Sequence, residues 1–142
     1  MSPERVQRKL TTILAADVVG CSRLMEADEE GTLGTLKAYR EVIDQLIAKH
    51  GGRVFGGAGD SLVAEFGSAV ETVRCALSMQ EDLAVRNAEL AEERRMIFRI
   101  GINVGDVMVE GDDLFGDGVN VAARLEQIAE PGGICISASV HE

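Results

Sequence analysis

The sequence predicts an α+β domain: one antiparallel sheet with helices packed on one face, its elements in the order β-α-β-β-α-β. Three observations carry this expectation. Apolar runs of strand length alternate with segments whose apolar residues recur every three or four positions, so strands and amphipathic helices both occur. Two short runs, Arg53–Phe55 and Ser61–Phe66, flank a Gly-rich turn and read as a hairpin, which only antiparallel strands form. The chain has 142 residues, 46% of them apolar, which is room for one core and no more.

The elements follow in order. Residues 1–10, MSPERVQRKL, form a charged leader. Thr11 to Val19, TTILAADVV, is a run of small and branched residues interrupted by one acid, Asp17, and reads as a buried strand. After Gly20 and a short polar stretch, Leu33, Leu36, Tyr39, Ile43, Leu46 and Ile47 give a helix one apolar face. His50-Gly51-Gly52 ends it, glycine being free to take the left-handed cap. The hairpin comes next, with Asp60 at its tip. Ser68 and Glu71 then form a capping-box signature that opens a helix through Val70, Val73, Ala76, Leu77 and Leu83. Residues 97–109 alternate as a long strand, and the turn EGDDLFGDG leads to the helix VNVAARLEQIAE. In that helix Val121, Leu125 and Ile128 are expected to face the core. Pro131-Gly132-Gly133 stops it, and Ile134–Ile136 is a last short strand. This order suits a ferredoxin-like plan better than a doubly wound parallel sheet. No repeat or linker interrupts it, so residues 11–142 are expected to form one domain.

Composition excludes several functions. Acidic residues number 24 against 14 basic, a net charge of −10, which is wrong for a nucleic-acid binder that must neutralise phosphates. No stretch approaches the roughly 20 apolar residues that span a bilayer, and the opening lacks the apolar centre of a signal peptide. No membrane contact and a cytoplasmic location are therefore expected. Cys21, Cys75 and Cys135 are dispersed, and His50 and His141 stand alone, so zinc or iron–sulfur ligation lacks its clustered soft ligands. A metal here would be a hard cation held by carboxylates.

Asp17 occupies a position where an aliphatic residue belongs, and a carboxylate there is costly unless it is paired, metal-bound or at the solvent end of the strand. Asp60 has an ordinary reading as a turn residue. If the hairpin lies beside the first strand, the two carboxylates converge and make a hard-cation site of the kind magnesium shares with phosphate oxygens and water. The strand-to-helix turn Val18-Val19-Gly20-Cys21-Ser22 has small side chains and backbone amides able to hold phosphate oxygens. The segment GGAG is neither a Walker loop nor a dinucleotide fingerprint. Asn120 and Arg124, four apart, share a helix face and suit a ribose oxygen and a phosphate; the same pair also reads as a solvated face. Asp112, Asp113 and Asp117 read equally well as turn and N-cap residues.

Together, the segments ILAADVVGCS, GGRVFGGAGDSLVAEF, FRIGINVGDVMVEG and DLFGDGVNVAARLE resemble the class III nucleotidyl cyclase catalytic domain, the adenylate and guanylate cyclase family. The resemblance runs from about Thr11 to the end and implies that family's fold. It implies an enzyme that closes a ribose 3′-oxygen onto the α-phosphate of a nucleoside triphosphate and releases pyrophosphate. Asp17 and Asp60, with the Val18 carbonyl, would hold two divalent ions per active site, Mg²⁺ or Mn²⁺. Asn120 would orient the ribose and Arg124 would stabilise charge on the α-phosphate. The active site would lie in a head-to-tail homodimer, Asp17 and Asp60 coming from one subunit and Asp113, Asn120 and Arg124 from the other. Adenylate-type members read adenine with a lysine and an aspartate. Asp113 matches the aspartate, whereas Gly56 stands at the lysine position. The surviving acceptor favours ATP over GTP. Cys21-Ser22 replaces the family's usual phenylalanine-threonine. Family domains also continue through further strands with a phosphate-contacting lysine, so the resemblance implies a domain truncated at its C-terminus. The resulting expectation is an adenylate cyclase making cyclic AMP. The alternative is a catalytically weak or inactive nucleotide-binding or dimerisation module.

Overall fold

A computed structural model describes residues 6–55 and 59–141 of the chain. The expectations at Gly56 therefore lie outside the described residues. The elements are β1 (Val6–Val18), α1 (Cys21–Ala27), α2 (Glu29–Lys49), β2 (Gly52–Phe55), β3 (Ser61–Phe66) and α3 (Ala69–Asn87). They continue with β4 (Phe98–Glu110), β5 (Asp113–Phe115), α4 (Asp117–Ile128), β6 (Ile134–Ile136) and α5 (Ala138–His141). One sheet runs β2-β3-β1-β4-β5, and its neighbours along this path are antiparallel. The short β6 adds to β4 in parallel, opposite Ile100–Ile102. The hairpin β2–β3 lies beside β1, the placement on which convergence of Asp17 and Asp60 depends.

Several local features follow from the sequence signals. Asp28 caps α2 by accepting the Gly31 amide at 3.0 Å, and Ser68 caps α3 by accepting the Glu71 amide at 3.2 Å. The Glu71 side chain does not complete a capping box; it contacts His50 and Arg74 instead. Strand β1 begins five residues before Thr11, because residues 6–10 of the charged leader pair with residues 106–110 of β4. The exposed turn around Asp112 also contains a strand, β5, which folds back on β4.

Period-two alternation divides the sheet's cover. Leu14, Ala16 and Val18 face α1, α2 and α3 and join Ile43, Ile47, Met79, Leu83 and Ile100 in the larger core. Ile13 and Ala15 face the other way and pack with Val107 and Ala122. Helix α4 thus covers the opposite face, which corrects the expectation that all helices share one side. The reason is a seam of small residues: a methyl group at Gly101 would overlap the backbone of Ala122 and Glu126, and one at Gly118 would overlap the Asp106 carbonyl. The buried stripe of α4 is accordingly Gly118, Ala122 and Glu126. Val121 and Leu125 are half-buried and Ile128 is 73% exposed, so the core face expected from hydrophobicity is turned partly outward.

Candidate active site

Asp17 ends the apolar part of β1, and β3 begins beside it. Asp17 stands opposite Ser61 in the β1–β3 register, and the Val18 amide donates to the Asp60 carbonyl at 3.0 Å. Folding therefore sets Asp60, in the turn just before β3, within one residue of register of Asp17 on β1. Beyond them the chain turns through Gly20, which has φ 64°, the left-handed region where glycine is favoured. Gly20 caps α1 with its carbonyl, which accepts the amides of Arg23 and Leu24. Cys21 and Ser22 open that helix, and Val19 is tied to Ile97 by a backbone bond of 2.8 Å.

The two carboxylates have different neighbours. The Asp60 side chain meets the Cys21 thiol; burial and then the Asp60 charge push that thiol above its ordinary pKa. Both residues line a cleft of about 420 Å³ with Ser22, Met25, Glu26 and Leu36. A larger cleft, about 950 Å³, opens behind the same turn under Arg23 and Glu92 and reaches the site only at Val19.

Asp17 points to the α4 side of the sheet and is 17% exposed. Arg99 stands directly opposite it on β4. The guanidinium donates to both carboxylate oxygens, Nε at 3.3 Å and Nη2 at 3.1 Å, a two-pronged ion pair. Gln127 at the end of α4 donates to the same carboxylate at 3.4 Å, and its carbonyl accepts Arg99 Nη1 at 3.0 Å. Glu126, 5% exposed, lies 3.5 Å from Arg99 and accepts the Gln127 amide at 2.7 Å. Burial and then the Asp17 charge push the Glu126 carboxyl well above the usual carboxylate range, against the pull of Arg99. Arg99, Glu126 and Gln127 were not singled out in the sequence. The available signal was Arg99 as the lone base near the start of an otherwise apolar strand, matching the lone acid Asp17.

The other expected residues lie along α4 and the β4–β5 hairpin. Asn120 and Arg124 are both exposed on α4, and among the described residues Arg124 has no ion pair. Asn120 lies seven positions before Gln127, about 10 Å along the helix axis. Asp113 is exposed at the start of β5, and its neighbour Asp112 pairs with Arg53 at 3.2 Å. The Arg53 guanidinium lies 4.5 Å over the Phe55 ring, which ties the β4–β5 turn to β2.

The donor set bears on which metal would fit. Among the described residues no group of three or more His, Cys, Asp or Glu side chains could hold an ion by itself. Two carboxylates, one at the end of β1 and one in the turn before β3, are oxygen donors suited to a hard cation that takes its remaining ligands from phosphate and water, and do not fit zinc. Asp17 is a largely buried negative charge, and in this structure the Arg99 guanidinium is the cation that matches it. Among the described residues no helix is long and apolar enough to cross a membrane.

Comparison with known proteins gives a concordant result. Residues 4–142 match the model of the adenylate and guanylate cyclase catalytic domain. The chain is 52% identical over its whole length to a Rhizobium meliloti (strain 1021) protein named "Putative adenylate cyclase 3", of which it spans 24%. Among solved structures, an adenylate/guanylate cyclase/hydrolase from Silicibacter pomeroyi superposes with a TM-score of 0.88 at 48% identity. That match covers 96% of this chain and 80% of that one. The adenylyl cyclase CyaB from P. aeruginosa superposes with a TM-score of 0.84 at 26% identity, covering 96% and 80%. A four-segment sequence pattern, a curled antiparallel sheet and a matched family model agree, and the chain belongs to the adenylate and guanylate cyclase catalytic domain family.

Proposed function

We propose that this domain converts ATP to cyclic AMP and pyrophosphate at the interface of a head-to-tail homodimer. The observation that carries the reading is the placement of Asp17 and Asp60 within one residue of register where β1 ends and β3 begins, joined by the Val18 amide on the Asp60 carbonyl. Asp17 and Asp60, with the Val18 carbonyl, are the residues that would hold two divalent cations, Mg²⁺ or Mn²⁺. When bound, such ions lower the pKa of the ribose 3′-hydroxyl and neutralise the triphosphate.

The remaining work belongs to the chain's own groups. The Val18 and Val19 amides are taken by the Asp60 and Ile97 carbonyls, so the amides of Gly20, Cys21 and Ser22 are the ones in this small-residue turn that serve phosphate oxygens. Asn120 hydrogen-bonds and orients the ribose, and the Arg124 guanidinium stabilises charge that develops on the α-phosphate. The exposed amide and guanidinium on α4 are available to a second copy, which suits a site shared across a twofold axis. Asp113 accepts from the adenine amino group; guanine would set a carbonyl against it, and ATP is favoured. The relatives named as adenylate cyclases support the same choice.

The alternative, a module that binds nucleotide without turnover, is favoured by the glycine at position 56. Incubation with ATP and Mn²⁺ separates the two. Cyclic AMP lost in both Asp17→Asn and Asp60→Asn supports the enzyme. Nucleotide binding without product in a folded dimer supports the module.

A further inference from the structure

Asp17 is not waiting empty-handed for a cation. Both of its oxygens are taken by the Arg99 guanidinium at 3.1 and 3.3 Å, and Gln127 reinforces the grip. We propose that Arg99 is a built-in competitor for the metal position: its guanidinium clasps Asp17 in the metal-free chain and withdraws onto Glu126 and the Gln127 carbonyl when a divalent cation binds. The inference rests on the reading of Asp17 as a metal ligand.

Three features of the geometry support it. First, Arg99 and Asp17 are cross-strand partners in the β1–β4 register, so the pair forms wherever this sheet forms. It is not a chance meeting of flexible surface chains. Second, the pair is two-pronged. A fork that donates to both oxygens sets a positive charge across the face of the carboxylate that a cation about 2.1 Å away would share, so the two compete for Asp17. Third, a resting place for the displaced guanidinium already exists. Glu126 lies 3.5 Å from Arg99, and the Gln127 carbonyl already accepts Nη1 at 3.0 Å. Release then needs a turn about the last side-chain bonds and leaves no buried cation without a partner. The carboxylate of Glu126, buried in α4 where hydrophobicity alone predicts no acid, has a role in this arrangement: it is the second seat of the guanidinium.

The consequence is a domain that binds its metal weakly until the clasp is undone. Removing the clasp should therefore tighten metal binding even as it removes a functional side chain. The test uses the full chain without nucleotide, with free Mn²⁺ read by electron paramagnetic resonance. Arg99→Gln should bind Mn²⁺ about tenfold more tightly than the parent protein, the loss of one charge-assisted competitor. Arg23→Gln removes an equal charge beside the Gly20 turn without touching Asp17, and should change affinity less than threefold by screening arguments. A second measurement needs no substitution. In the parent protein the Arg99 Nε–H resonance should move on Mg²⁺ titration and stay fixed in Asp17→Asn.

Equal Mn²⁺ affinity in the parent and Arg99→Gln, or an Arg99 resonance unmoved at metal saturation, overturns the clasp and leaves Asp17 a ligand. An equal gain in Arg23→Gln also overturns it, by showing a field effect alone. Failure of Asp17→Asn to weaken Mn²⁺ binding overturns the metal reading itself, and the clasp with it.

Discussion

Gly101 on β4 lies directly under Ala122 on α4, so close that a methyl group at position 101 would overlap the Ala122 carbonyl oxygen and the Glu126 amide nitrogen. This contact seats α4 on the sheet, aims Asn120 and Arg124 outward and brings Glu126 and Gln127 to Asp17. Both contacting atoms are backbone, so no side chain can rotate aside. Gly101→Ala should force the helix off the sheet and cost about 1–3 kcal/mol, as overpacking does. Thermal or urea unfolding measures it. A melting temperature equal to that of the parent would show that the seam is looser than the distances indicate.

A pH dependence follows from the other side of the sheet. Arg94 hydrogen-bonds Asp28 at 2.6 Å and the Gly31 amide caps the same carboxylate, and together they hold its pKa below the usual value. A carboxylate lowered on folding adds stability above its unfolded pKa, near 3.9, and loses that contribution as pH falls through the folded value. Asp28→Asn should therefore be less stable than the parent at pH 6, with the difference narrowing below about pH 4. Denaturant midpoints across pH 3–7 read the effect; a gap that stays constant would exclude Asp28 as its source.

Much of this architecture was visible in the sequence, and the reason differs from element to element. Asp17 stood out because a single charge inside an apolar strand demands an explanation. The hairpin was legible because a Gly-rich turn between two runs leaves few alternatives. Arg99 was as conspicuous a charge as Asp17, yet its meaning depends on the β1–β4 register, a pairing across 82 positions that local periodicity does not encode. The rotation of α4 was hidden for another reason. Its buried stripe is Gly118, Ala122 and Glu126, which carries almost no hydrophobic signal, while the apolar Ile128 points to solvent. Backbone approach through glycine, not side-chain hydrophobicity, chose the face. The base-reading expectation at Gly56 lies outside the described residues.

That expectation can still be tested in solution. A glycine offers a purine no hydrogen bond, so a cation at this position should add one. Gly56→Lys should raise the preference for ATP over GTP in kcat/KM by about tenfold, the worth of one hydrogen bond. Competition between the two triphosphates in one reaction measures the ratio directly. An unchanged ratio would remove position 56 from the base pocket and leave Asp113 as the reader of adenine.

The proposed division of the site between two copies makes a stronger demand than any single substitution. Asp17→Asn removes a charge and keeps an acceptor for Arg99, so it should silence the metal half of the site and preserve the fold. Arg124 is exposed and among the described residues unpaired, so Arg124→Ala should silence the other half with little effect on stability. If each active site takes its acids from one subunit and Arg124 from the other, a mixed dimer has one site with both defects and one with neither. Random exchange gives half mixed dimers, each with half its sites intact, and activity should return to about a quarter of the parent value under twofold symmetry. If Asp17 and Arg124 instead served one site within a single chain, every site in the mixture would carry one defect. Such a mixture would stay silent however well the subunits exchanged. Subunit exchange followed by fluorescence transfer, with cyclic AMP measured on the same samples, decides between the two arrangements.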